Sequence, residues 1–105
     1  MTNKVLALLG FASKAGKLSY GMDATVDVIN RGKSKLAVIG CDVSEKSKKE
    51  IRFHSEKNNI QVIVLEDCNI ETVSSAVGRK CGIISVNDSS FADGILNAMN
   101  KGGNV

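Results

Sequence analysis

Apolar positions along the chain repeat with two different periods. Val5, Leu8, Leu9 and Ala12 recur at helical spacing and predict a first helix over about 3–14. Residues 22–30 predict a second helix, with Gly32 in the usual glycine position just past its end. The continuous apolar run LAVIGC (36–41) predicts a strand buried on both faces, and the β-branched run IQVIVL (60–65) predicts another. GIISV (82–86) predicts a third clear strand, and a short extra strand fits around 17–20. Between them, the charged segment 44–58 and the segment 69–77, closed by Gly78, read as helices. A last helix over 89–100 buries Phe91, Ile95, Leu96 and Met99, and residues 101–105 (KGGNV) read as a flexible tail. Strands alternating with helices predict an α/β sandwich with a largely parallel core.

Composition agrees with one small globular domain. The chain has 105 residues, 43% hydrophobic and 24% charged. No apolar run approaches the ~18 residues of a membrane helix. The N-terminal apolar stretch keeps helical spacing and has lysines on both sides, so it reads as mature structure and not as a leader. Cys41, Cys68 and Cys81 are odd in number and lack CxxC spacing, which argues against a disulfide framework or a zinc site and for a reducing, cytoplasmic setting. Proline is absent, so turns fall to Gly, Asn and Asp. After the strands, CDVS, EDCN and NDSS place acids and small polar residues ahead of helices. Asp42 with Glu45, and Asp88 near Ser89, fit helix capping.

The stretch GFASKAGKLSYG (10–21) looks like a phosphate-binding loop and fails that template three times. Five residues separate Gly10 from Gly16 where the motif needs four, Leu18 follows Lys17 where it needs Ser or Thr, and the preceding segment is helical where it needs a strand. Catalytic constellations are equally poor. His54 is the only histidine and sits in a charged helix without a nucleophile or orienting acid nearby, so it reads as structural. Asp23 and Asp27 share a helix face, but no third metal ligand accompanies them. Neither enzyme, cofactor nor metal is expected.

Charge points to a binding surface. The net charge is only +3, but residues 1–35 carry six cations (Lys4, Lys14, Lys17, Arg31, Lys33, Lys35) against Asp23 and Asp27. Residues 58–77 carry only acids, and then Arg79 and Lys80 follow as a pair. Gly21 opens the second helix, where free N–H groups and nearby cations suit a phosphate backbone. Aromatic residues are too few for stacking across a sheet, so recognition by helix ends and loops is expected.

The segments AGKLSYG, INRGKSKLAVIGCDVS, KKEI, NNIQVIVL, AVGRKCGIISVND and FADGIL follow in that order. Over roughly residues 4–100 the chain resembles the kink-turn RNA-binding ribosomal protein superfamily of the "seven-Ae" type, and its small bacterial YlxQ-like branch above all. The resemblance implies a single-domain, three-layer α/β/α sandwich with a mixed four-stranded sheet over residues 1–100. It implies binding of sharply bent RNA, ribosomal RNA among the candidates, with ribosomal or ribonucleoprotein partners. Two elements of the family usually touch RNA, and here they map to Gly21–Asp27 and Gly78–Gly82. RNA-binding members carry Asn-Glu-x-x-Lys at the second helix, whereas this chain reads Asp23, Ala24, Thr25, Val26, Asp27. Ser74 stands where a glycine is common. The candidate RNA contacts are therefore Lys14, Lys17, Gly21, Met22, Asp23, Ala24, Asp27, Arg31, Lys33, Arg79 and Lys80. The alternative is a protein-interaction module on the same scaffold that has lost specific kink-turn recognition.

Overall fold

The computed structural model describes the backbone of residues 2–103 and the side chains of residues 3–100. In chain order the elements are α1 (Thr2–Lys14), β1 (Leu18–Tyr20), α2 (Met22–Asn30), β2 (Leu36–Gly40), α3 (Glu45–Lys57), β3 (Val62–Leu65), α4 (Ile70–Val77), β4 (Ile83–Val86) and α5 (Ser89–Gly103). Each predicted helix and strand is present within a few residues. The backbone of α5 runs through 101–103, part of the stretch expected as a tail, while 104–105 lie outside the described residues.

The sheet order is β1-β4-β2-β3. Period-two alternation splits its side chains between two cores. Leu36 and Val38 of β2, Ile63 and Leu65 of β3, and Ile84 and Val86 of β4 join Val5, Leu9, Val73, Val77 and Ile95 from α1, α4 and α5. Ala37, Ile39 and Ile83 face the other way, with Ile51 of α3 and the partly buried Met22 and Val26 of α2. Helices therefore cover both faces, giving three layers. This is why the β2 sequence is a continuous apolar run with every residue buried.

The largely parallel core read from the helix–strand alternation is corrected. β2 and β3 pair in parallel, but β4 runs antiparallel to both β2 and β1. The path of α4 is the physical reason. Cys41 N–H donates to Cys68 O (2.8 Å) as the chain leaves β3, and Gly40 N–H donates to Gly82 O (2.9 Å) after α4. The connection returns the chain to the end of the sheet it had just left, so β4 must run back. The mixed sheet implied by the family resemblance is the one observed.

Capping follows the predicted chemistry with one reassignment. Asp88 Oδ2 accepts from Phe91 N–H (2.9 Å) at the start of α5, and Asn69 Oδ1 accepts from Thr72 N–H (2.8 Å) at α4. Asp42 does not cap α3. Ser44 does, accepting from Ser47 N–H (3.2 Å). Asp42 Oδ1 instead reaches across to Ile70 N–H (2.8 Å) and secures the first residue of α4.

Candidate nucleic-acid interface

Gly21 bridges β1 and α2 with φ 91 and ψ 169, a region closed to residues with a Cβ. Its N–H donates to Ile83 O (2.8 Å) and its carbonyl accepts from Thr25 N–H (3.0 Å). No side chain caps α2. The free N–H groups and positive dipole end of that helix therefore lie beside the start of β4. Asp23 lies in this first turn, and both Asp23 and Ala24 are exposed. A shallow groove of about 250 Å³ opens here. Gly21, Met22, Val43, Ser44, Ser47, Ile70 and Gly82 line it, together with Asp42.

The second mapped element, 78–82, is fixed against this groove from both ends. Gly78 ends α4 in the left-handed region (φ 77, ψ 16), with its N–H on Ser74 O (2.9 Å). The Ser74 hydroxyl donates to Cys81 O (3.1 Å) and accepts from Cys81 N–H (3.0 Å). Ser74, out of pattern in the sequence, is thus the clasp of the loop. The Arg79 guanidinium stacks over the Tyr20 ring, 4.7 Å from its centroid. The Tyr20 hydroxyl lies 2.6 Å from Ser13 Oγ, which donates to Val77 O (2.8 Å). This chain of contacts holds a cation one residue from Gly21. Lys80, next to Arg79, is exposed. Burial raises the Cys81 thiol pKa, with Arg79 pulling weakly the other way, so the loop's sulfur stays a neutral thiol.

The other candidate residues do not join this group. Lys17 and Lys33 lie toward the opposite end of the sheet. Lys17 O accepts from Asn87 N–H (2.8 Å), and Lys33 N–H donates to Val28 O (2.9 Å) past the end of α2. Lys35, beside them, donates its N–H to Val86 O (2.8 Å). Asp27 and Arg31 pair with each other at 3.6 Å, both side chains 61% exposed. Lys14 closes α1 and lines a larger depression of about 660 Å³ between α1 and α4. Leu6, Ala7, Gly10, Phe11, Ser75 and Ala76 make up most of its lining, with Glu71 beside Lys14, and the open start of α2 is not part of it. Of the predicted set, Gly21 and Met22 line the groove at α2, Asp23 and Ala24 stand in the adjoining first turn of that helix, and Arg79 sits over the ring of Tyr20, the residue before Gly21.

Sequence reasoning missed Tyr20, together with the loop-closing role of Ser74 and the hold of Asp42 on α4. The single tyrosine, directly before the glycine that opens the predicted second helix, was a usable signal for Tyr20. The bonds of Ser74 to Cys81 and of Asp42 to Ile70 carried none. His54 is half-buried and its Nδ1 lies 3.2 Å from Asn30 Nδ2, a structural contact between α2 and α3. Among the described residues no cluster of His, Cys, Asp and Glu could hold a metal ion, and no helix is long and apolar enough to cross a membrane.

The chain is 31% identical over 99 residues to the large ribosomal subunit protein eL30 of Candida glabrata, covering 92% of this chain and 90% of that one. It is 28% identical over 89 residues to the RNA-binding protein YlxQ of Enterococcus faecium, covering 85% and 84%. A Bacillus halodurans protein of unknown function superposes with a TM-score of 0.87 at 26% identity, covering 92% of this chain and 97% of that one. A Giardia lamblia 15.5 kD RNA-binding protein shares the fold at TM-score 0.76 and 13% identity, covering 95% and 85%. The eL30, YlxQ and Giardia relatives are ribosomal or RNA-binding proteins by name. The model of the "Ribosomal protein L7Ae/L30e/S12e/Gadd45 family" matches residues 3–91, and the chain belongs to that family.

Proposed function

We propose that this protein binds structured, kink-turn-like RNA without catalysing a reaction, in the cytoplasm and in association with the ribosome or another ribonucleoprotein. The observation that carries the reading is the uncapped start of α2, buttressed by Ile83 and flanked by Arg79 on its Tyr20 support. Free N–H groups and a fixed guanidinium are donors for phosphate and base-edge oxygens. The ribosomal eL30 relatives and the RNA-binding YlxQ support the same assignment. In this reading Gly21, Met22 and Arg79, with Lys80, make the central contacts over a binding unit of residues 1–100. Lys14, Lys17, Arg31 and Lys33 add charge further out, and residues 101–105 stay outside the interface.

A gel-shift titration over a salt series tests it, with kink-turn RNA against a straight duplex. The expected result is at least about tenfold tighter binding of the bent RNA at equal salt. Equal, weak binding to both that moderate salt abolishes would mark charge alone and refute shape recognition.

Ala24 and Asp27 favour a second reading, a protein-interaction module that has lost specific kink-turn recognition. The triple variant Asp23→Asn, Ala24→Glu, Asp27→Lys separates the two. If the wild type already binds kink-turn RNA as tightly as this variant, the second reading fails.

A further inference from the structure

The only large hydrophobic side chains exposed among the described residues are Phe11 and Phe53. Phe11 borders the apolar depression between α1 and α4. Phe53 is different. Its ring stands at the outermost line of α3, opposite the buried Ile51 and Ser55, and is 61% exposed. The Lys57 ammonium lies over it, 5.6 Å from the centroid, and His54 meets it edge-on at 5.2 Å.

Lys46, Lys49, Phe53 and Lys57 are spaced three, four and four residues apart, so they form one stripe along the helix. Glu50 lies one turn from Lys46 and Glu56 lies on the flank. With Arg52 counted, the exposed side carries four cations against the three acids Glu45, Glu50 and Glu56, and Glu45 is already paired with Lys48 at 3.2 Å. A docking patch for protein needs contiguous apolar surface, and Phe53 has no exposed apolar neighbour of any size. A lone aromatic ring between cations suits a nucleobase on the ring and phosphates on either side. The stripe is also continuous with the groove at α2. Ser44 and Ser47 of the first turn of α3 line that groove, and Lys46 shares their turn. From Lys46 to Lys57 the stripe runs about 16 Å away from the groove's rim.

We propose that the outer face of α3 is a second RNA contact, which takes a single-stranded segment leaving the structured RNA in the groove and stacks one of its bases on Phe53. This rests on the RNA-binding reading of the groove.

Binding is measured for a blunt kink-turn RNA and for the same RNA carrying a short oligoadenosine extension at its 5′ or its 3′ end. The proteins are wild type, Phe53→Ala, Phe53→Leu and the pair Lys49→Gln/Lys57→Gln. One of the two extensions should tighten wild-type binding about tenfold, the scale of one stacked base. Phe53→Ala and Phe53→Leu should both remove that gain and leave the blunt RNA unaffected, since Phe53 is outside both cores. The lysine pair should lower the salt slope of the extended complex by about two. Blunt RNA bound without any gain from either extension overturns the proposal and leaves the groove reading standing. A gain that survives Phe53→Ala overturns it as well. A gain kept by Phe53→Leu but lost in Phe53→Ala marks an apolar contact without stacking, and also overturns it. If the blunt RNA itself does not bind, the groove reading fails and this proposal falls with it.

Discussion

Replacing Gly21 with alanine isolates a backbone effect at the entrance of α2. A Cβ at this position would meet nothing within 4 Å, so no clash is involved. The cost is conformational. At φ 91 and ψ 169 the residue sits in a region that is essentially glycine-only, where a side chain costs about 1–3 kcal/mol. Alanine recovers about 0.4–1 kcal/mol by restricting the unfolded chain. The net expectation is a loss of about 1–2 kcal/mol, or a fall in Tm of roughly 4–15 °C for a domain of this size. Gly78 supplies the internal control. It also has positive φ with open space around its Cβ position, but its ψ of 16 puts it in the left-handed helical region that asparagine tolerates. Urea melts followed by far-UV circular dichroism should therefore show Gly78→Asn milder than Gly78→Ala, and Gly21→Asn as damaging as Gly21→Ala. A Gly21→Ala protein that melts with the wild type would refute the argument, as would Gly21→Asn behaving like Gly78→Asn.

Three further outcomes follow from the contacts around the groove. Arg79→Ala should weaken kink-turn RNA binding a few-fold and reduce the salt slope by about one. Tyr20→Leu, which removes the ring that steadies Arg79, should weaken binding less, and Tyr20→Phe least, all read by titration over a salt series. Asp42→Ala should lower stability by about 0.5–1 kcal/mol in urea melts, because the Ile70 N–H loses its acceptor at the start of α4. Burial holds the Cys68 and Cys81 thiols above their ordinary value of 9.0, with the Asp67 carboxylate adding to the effect at Cys68. Native protein then keeps protons that the unfolded chain releases, so this stability is fully present below about pH 9 and is lost as pH rises from there through the folded values. Urea midpoints measured from about pH 8 to 10 should fall more steeply in the wild type than in a Cys68→Ala/Cys81→Ala variant, and parallel slopes would contradict the linkage.

The elements were legible because their sequence periods are clean. LAVIG has no polar position and is an interior strand, while the charged run 45–57 keeps Ile51 and Ser55 on one line and is the helix over it. Strand direction was not legible from alternation. It depends on where α4 delivers the chain, and that is fixed by Asp42 and Cys41 bonding to residues more than 25 positions away. The same division holds at the candidate site. Gly21 announces itself by residue type and place. The clustering of cations in residues 1–35 was a property of the sequence and not of the surface, because α2 and β1 carry Lys17 and Lys33 toward the Val86 end of the sheet. The pairing of Asp27 with Arg31 was readable at spacing four, and it alters the meaning of both residues.

That pairing bears on how much the two departures from the family's second-helix motif weigh. On the RNA-binding reading, Ala24 in place of glutamate removes a base-edge acceptor, a contact worth about 1–3 kcal/mol of discrimination. It introduces no repulsion, since a methyl group carries no charge. Asp27 in place of lysine removes a phosphate contact and puts a carboxylate near the backbone, which by itself would oppose binding. Here the carboxylate faces the Arg31 guanidinium at 3.6 Å, so the pair presents little net charge to an approaching phosphate. An exposed pair of this kind contributes little stability, roughly 0–1 kcal/mol, and leaves Arg31 able to turn toward RNA. The expected consequence is weakened discrimination with electrostatic approach retained. Arg31→Ala should therefore harm RNA binding by more than one phosphate contact, because it also unmasks Asp27, and the double change Arg31→Ala/Asp27→Asn should recover part of the loss. Equal binding by the single and double variants would show that Asp27 lies too far from the RNA for its charge to matter.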